Sequence, residues 1–195
     1  MPTPLRPQPN IKFEEATHKY TVDGTVMRSV TQILDQQGYI SKFCKNKEAS
    51  ERGSRWHKLL ENYDKGRLIL DLLSGEEKQV VTYYSDFLKE VDPKFSHIEH
   101  PVCRLDLGYA GLVDRLSEIC TCIADIKTGT SVPDSGKLQT AGYAVGAFND
   151  PYSVERYCIH INPRKRKKAA IKYYHDKDDI FKWIEIAKKS QRNRE

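Results

Sequence analysis

The chain reads as an α/β domain, a mixed and twisted sheet of about four or five strands with helices on both faces. Three observations point there. Segments bounded by turn residues and rich in β-branched and aromatic residues alternate with longer segments whose apolar residues recur every three or four positions. These two kinds of segment are interleaved along the chain rather than grouped. The 195 residues suffice for one domain with a real core.

The elements follow in order. Residues 1–10, Met1-Pro2-Thr3-Pro4-Leu5-Arg6-Pro7-Gln8-Pro9-Asn10, are proline-rich, and such a stretch favours an extended, poorly ordered arm. The folded domain is expected over 11–190 and a charged tail over 191–195. Asp23-Gly24, flanked by His18-Lys19-Tyr20-Thr21-Val22 and by the run from Thr25 to Arg28, is a hairpin signal. Ser29 then caps a short helix carrying Val30, Ile33 and Leu34. A longer helix is expected over 47–64. Gly53 inside it costs roughly 1 kcal/mol against Ala, which implies a close approach by backbone or substrate. A second helix over 76–91 presents Val80, Tyr84, Phe87 and Val91 as its inward stripe and ends at Asp92-Pro93.

Strands are predicted over 96–107, 109–117 and 120–127. A helix over 137–148 buries Leu138, Ala141, Val145 and Phe148, and leaves Gln139 and Tyr143 together on a neighbouring face. Two more strands, 157–161 and 169–174, precede a last helix capped by Asp176, with Ile180, Ile184 and Ala187 inward.

The chemistry centres on Gly111-Leu112-Val113-Asp114 and Asp125-Ile126-Lys127-Thr128-Gly129. Residues two apart on a strand share a face, so Asp125 and Lys127 stand side by side while Ile126 faces the opposite layer. If the two segments are neighbouring strands, Asp114 joins them. Gathered carboxylates are ligands for magnesium or manganese, and an adjacent lysine can orient or help deprotonate a water. An Asp and a Lys on one strand also make a plain ion pair, the commoner meaning of a lone Asp-x-Lys, and it is the rest of the chain that favours a site. Glu99, in an apolar stretch, is either a further group near the site or an edge-strand surface charge. His57 and Glu61 lie one and two turns after Gly53 on the same face.

These segments resemble the PD-(D/E)XK nuclease superfamily, in particular its RecB-type exonuclease branch. Gly53-Ser54-Arg55-Trp56-His57 is similar to the branch's helical Gly…His motif. Gly111-Leu112-Val113-Asp114 is similar to its Gly-x-x-Asp strand, and Asp125-Ile126-Lys127-Thr128-Gly129 to its Asp-x-Lys-Thr-Gly strand. Gln139-Thr140-Ala141-Gly142-Tyr143 is similar to its Gln-x-x-x-Tyr helix. The set spans residues 53–143 in the family's order, and only the proline before the first Asp is missing.

The resemblance implies a restriction-endonuclease-like core. It also implies a metal site of His57, Asp114, Asp125 and the Ile126 carbonyl, with Asp114, Asp125 and Lys127 as the catalytic set. Gln139 and Tyr143 would contact substrate or brace the site. Magnesium or manganese is the implied cofactor, and DNA ends, single- or double-stranded, the implied substrate. Compact chains of this branch resemble phage recombination and mitochondrial genome-maintenance exonucleases. No helicase motif is present, so any unwinding needs a partner, a helicase or a single-strand-annealing protein.

Some branch members carry an iron–sulfur cluster, which takes four thiolates. Of the five cysteines only Cys158 lies beyond the Gln139 helix, and Cys120 and Cys122 read as small buried hydrophobes in a strand, so neither a cluster nor a structural zinc is expected. An odd cysteine count and an N-terminus without an apolar signal region fit an intracellular setting. No stretch has the length of a membrane span.

Net charge is +5, mildly favourable to a polyanionic partner. Arg164, Lys165, Arg166, Lys167 and Lys168 form an unbroken basic run on an expected hairpin tip, a phosphate-attracting feature. A solvated loop or a localisation signal is the competing reading. Arg52 and Arg55, beside the His57 helix face, are further candidates for nucleic-acid contact. The resulting reading is a metal-dependent DNA nuclease. Its rivals are a nucleic-acid-binding module of the same fold without catalysis, and a regulatory interaction protein that docks through the basic loop.

Overall fold

Asp23 and Gly24 turn the chain back on itself at φ of 47° and 83°, the left-handed region that an Asp-Gly turn serves. The computed structural model describes residues 2–40, 47–165 and 167–192. The turn joins β2 (Lys19–Val22) to β3 (Thr25–Ser29), and β1 (Ile11–Glu14) pairs antiparallel with β2. Ser29 Oγ accepts from the Gln32 amide at 3.0 Å and Gln32 Oε1 accepts from the Ser29 amide at 2.8 Å, a reciprocal cap that starts α1 (Val30–Gln36). A second such box, Ser74 with Glu77, starts α3 (Gly75–Val91) after α2 (Lys47–Asp64); Asp92, at φ 47°, ends it.

Then come β4 (His97–Arg104), β5 (Tyr109–Ser117), β6 (Cys122–Lys127), α4 (Gly136–Ala147), β7 (Glu155–His160), β8 (Ala170–Tyr174) and α5 (Asp178–Arg192). The Asp178 amide donates to Asp176 Oδ1 at 2.9 Å, so Asp176 starts the last helix as its side chain suggests.

The α/β class holds, with one correction in size. The sheet has eight strands, in the order β1-β2-β3-β5-β6-β7-β8, with β4 pairing β5. The N-terminal hairpin enlarges it: β3 runs parallel to β5 through Arg28–Tyr109 and Ser29–Ala110. β4 pairs β5 along its length, so β3 and β6 share the other edge of β5. On that edge β3 takes Tyr109–Ala110 and β6 takes Arg115–Ser117. Among the described residues, no ladder pairs Gly111 to Asp114 there, and the sheet forks.

One face is packed by α1, α4 and α5 around Val30, Ile33, Val113, Ala141, Phe148 and Trp183. The other is packed by α2 and α3 around Trp56, Leu60, Tyr84, Phe87, Ile126 and Ile159. Every residue of α4 except Lys137 is buried, which makes it the central helix of its layer.

Residues 2–10, expected as a poorly ordered arm, are held instead. The Arg6 amide donates to the Ala147 carbonyl at 2.7 Å and the Asn149 amide to the Pro4 carbonyl at 3.2 Å. Gln8 bridges Gly146 O at 2.9 Å and the Cys103 amide at 2.8 Å. Proline removes donors but leaves carbonyls, and the end of α4 and its neighbours use them.

The expected tail begins later than read, because α5 continues to Arg192; residues 193–195 lie outside the described residues. Arg28 Nη1 holds Ser190 near that end, at 2.7 Å to its carbonyl and 2.6 Å to its hydroxyl. Cys120 is a further correction. It is exposed in the turn before β6, while Cys122 inside the strand is buried. No helix among the described residues is long and apolar enough to cross a membrane.

Candidate active site

Asp114 lies on β5 where the sheet forks. Its Oδ2 reaches across the gap and accepts from the Ile126 amide at 2.6 Å, satisfying β6 where β5 no longer can. Both layers meet here. From the α2 side, His57 Nδ1 stands 3.4 Å from the same Oδ2. From the α4 side, Gln139 and Tyr143 reach the other face of β6, the face of Asp125 and Lys127. Gly111 makes room for this: a Cβ there would lie 2.9 Å from the Tyr143 ring. Gly53 has the matching role on α2, where a Cβ would lie 3.3 Å from Thr128 Oγ1, so the helix that carries His57 rests on the end of β6. That is the close approach its cost in a helix implied.

Asp125 and Lys127 share a face as the strand period requires, with Lys127 Nζ 2.6 Å from Asp125 Oδ2. Lys127 Nζ also donates to Gln139 Oε1 at 2.8 Å. Gln139 Nε2 donates to Asp125 Oδ1 at 2.9 Å and contacts Tyr143 OH at 3.0 Å. Cys158 Sγ lies 3.7 Å from Asp125 Oδ2. Burial raises the Asp125 carboxyl above its ordinary range despite Lys127. Burial is the largest influence on the Lys127 ammonium and works against it, yet its anionic neighbours, Asp125 foremost and Asp114 among them, together raise its pKa, so the lysine is held charged. For Asp114, burial is overcome by His57 and by the Ile126 amide, and its pKa is lowered. Burial works against a charged His57, but the Asp114 and Asp125 carboxylates together raise it.

Glu99 completes the centre. One donor atom each from His57, Glu99 and Asp114 lies within 4.8 Å of the others. Glu99 takes φ of 53° within β4, an uncommon conformation for a residue with a side chain, of the sort that collects at functional sites. Burial first, and then the Asp114 charge, push its carboxyl up to about 7.

Two carboxylates and one imidazole make an oxygen-rich donor set with a single nitrogen, a set that fits a divalent cation. Asp125, with its oxygens engaged by Lys127 and Gln139, stands beside this triad rather than in it. Ile126 offers its amide to Asp114, which brings the backbone of residue 126 against the site. Arg115, fully buried, braces the group. It donates to Asp64 Oδ2 at 2.6 Å, Tyr84 OH at 3.0 Å, Asp114 O at 2.6 Å and Glu99 Oε1 at 3.4 Å.

All of this opens into a cleft of about 620 Å³ whose walls are the β1–β2 hairpin, α2 and the forked sheet. Ser50, Gly53, Ser54, His57, Lys58 and Glu61 form one stripe of α2 along it. Glu61 is tied to Lys58 at 2.9 Å and Lys65 at 2.6 Å. Arg52 and Arg55 are not among the lining residues. Arg52 sits over the Trp56 ring, and Arg55 pairs with Glu77 at 2.8 Å. The basic run lies in the β7–β8 connection, outside the cleft. Arg164 is bound to Glu76 of α3 at 2.6 Å, Lys165, Lys167 and Lys168 are exposed, and Arg166 lies outside the described residues.

No protein-family model matches the sequence, and a search of curated proteins finds no match. Among solved structures the chain is similar to a candidate exonuclease from Eubacterium rectale, with a TM-score of 0.51 and 8% identity over 83% of this chain and 71% of that one. At that identity the likeness shows a shared fold.

Proposed function

We propose that this protein is a metal-dependent nuclease that hydrolyses phosphodiester bonds of DNA, acting from ends as an exonuclease. One observation carries the reading: His57, Glu99 and Asp114 converge in a cleft beside the pair of a buried Asp125 and a half-buried Lys127. The solved structure of similar fold, itself described as an exonuclease candidate, supports the same class, as does the resemblance of the four motifs to the RecB-type branch.

A divalent cation bound there, magnesium or manganese, supplies Lewis acidity toward a phosphate oxygen and a water. The residues do the rest. His57, Glu99 and Asp114 would hold the cation, with Asp125 and the Ile126 carbonyl adjoining. Lys127, kept charged by Asp125, offers its ammonium to the attacking water and to the charge that develops on the phosphate. Gln139 fixes both partners of that pair by donating to Asp125 and accepting from Lys127. Tyr143 closes the chain behind it. A charged lysine is an electrostatic and orienting group here rather than the base.

The test is end-labelled single- and double-stranded DNA, with and without manganese. Cleavage that a chelator abolishes is the expected result. Retention without cleavage in manganese would replace this reading with a binding module, and neither would leave a protein that acts through other partners.

A further inference from the structure

The wall of the cleft opposite α2 is aromatic and is not used by the chemistry above. Phe13 and Tyr20 stack with ring centroids 4.7 Å apart and planes at 28°, and His18 meets Phe13 edge-on at 5.2 Å. All three line the same cleft as His57, Glu99, Asp114 and Lys127. Tyr20 is buried behind the others, Phe13 is half-buried and His18 is exposed. Tyr20 is also within electrostatic reach of Glu99 and Asp114, so the aromatic group adjoins the candidate metal site.

The two walls differ in kind. The α2 wall offers hydroxyls from Ser50 and Ser54 and the Lys58 ammonium, which Glu61 of the same wall holds at 2.9 Å. The hairpin wall offers ring faces, with the Glu15 carboxylate at its turn. A nucleic-acid backbone is bound by hydroxyls and cations, whereas a base has a π-face that any aromatic ring can cover. A strand lying in the cleft with a phosphate at the metal therefore runs its backbone along α2 and turns its bases to the hairpin. Only an unpaired base presents a free face.

We propose that Phe13 and His18, backed by Tyr20, form a stacking subsite for an unpaired nucleobase next to the scissile phosphate, and that the substrate is a single strand or a frayed end. This rests on the nuclease reading and narrows its substrate class.

The experiment measures binding by fluorescence anisotropy, with calcium in place of manganese. The probes are an oligothymidylate and an abasic oligonucleotide of the same length, which has equal charge and no bases. Wild type should prefer the oligothymidylate by about five- to 150-fold, the range of one or more stacked bases. His18→Ala and Phe13→Ala should each lose most of that preference and bind the abasic strand as wild type does. His18 is exposed, so its variant keeps the test valid if Phe13→Ala unfolds. Unlabelled oligothymidylate should also outcompete a blunt duplex of the same length.

Equal wild-type affinity for the two strands overturns the subsite. So does a preference that both variants retain, and a duplex that competes as well overturns the single-strand assignment. In each case manganese-dependent cleavage of the oligothymidylate by wild type leaves the nuclease reading standing. No binding and no cleavage overturns both.

Discussion

Glu99 stands opposite Asp114 in the β4–β5 ladder, between the paired positions Ile98–Arg115 and His100–Val113. Two carboxylates are thus held close together in the cleft, where an opposite charge between them relieves their repulsion. Glu99→Gln should weaken manganese binding by about tenfold or more, since one of two anionic donors is lost. Calorimetric titration measures it. Wild-type affinity in the variant would remove Glu99 from the metal site.

The same relationship sets a pH dependence in the metal-free protein. The Glu99 carboxyl is raised from 4.5 to about 7 by burial and by Asp114. A raised carboxyl binds its proton more tightly folded than unfolded. Its stabilising effect is therefore complete below the unfolded value and is lost as pH climbs through the folded one. Relative to Glu99→Gln, chelator-treated wild type should lose on the order of 1–3 kcal/mol between about pH 4.5 and pH 7, then level off. Urea titrations of both proteins across that range test it, and a constant difference between them would contradict it.

Lys127 touches Asp125 and Gln139 and supplies no donor atom to the triad of His57, Glu99 and Asp114. Lys127→Ala should keep manganese affinity within a few-fold and lose cleavage by roughly 100-fold or more, the scale of a positioned charge or proton donor. Single-turnover cleavage, with circular dichroism to check the fold, separates the two effects. Near-normal turnover would leave Lys127 as only the counter-ion of Asp125.

Gly111 faces the Tyr143 ring and Val30 at 2.9 and 3.3 Å from where a Cβ would stand. Gly111→Ala should cost about 1–3 kcal/mol by overpacking, and should displace Tyr143 from Gln139. Denaturant unfolding reads the first effect. A loss of cleavage in the folded fraction reads the second, and unchanged stability would mean that the ring moves aside freely.

The basic run between β7 and β8 is proposed to track nucleic-acid backbone from outside the cleft, with Arg164 shared with Glu76. Replacing Arg164, Lys165, Arg166, Lys167 and Lys168 with Gln should weaken DNA binding. It should also flatten the log–log salt dependence by roughly 0.7–0.9 per contact removed, with cleavage at saturating DNA retained. Parallel salt slopes for wild type and variant would make the run a solvated tip.

Local chemistry was legible in the residues, and long-range pairing was not. The Ser29 cap, the Asp23–Gly24 turn, the inward stripe of α3 and the shared face of Asp125 and Lys127 all follow from neighbours a few positions apart. His57 and Asp114 could be named as candidates from their motifs, and the fold brings them within 3.4 Å. Glu99 was seen only as a choice between site and surface. Its place depends on the register of β4 against β5, and that register shows only once the strands are paired. The one available signal was an acid inside an apolar strand. The extra strands were hidden for a similar reason. β3 reads as half of a local hairpin, and nothing near it announces a partner at Tyr109 and Ala110. The proline-rich stretch at 2–10 looked unable to order itself, and indeed most of its bonds reach residues such as Gly146 and Ala147, far along the chain.

Those distant bonds impose an order of assembly. A ribosome releases the β1–β3 hairpin early, and it can close on its own turn at once. It gains a place in the sheet only when Tyr109 and Ala110 have emerged. The stretch before it gains bonds to Cys103 and Thr121 and then to residues 146–149. Loops that long close slowly and late. The aromatic wall of the cleft is thus made well before the strand that gives it a place in the sheet. A growing chain has His57, Glu99, Asp114 and Asp125 all synthesised before the last segment that anchors its own beginning.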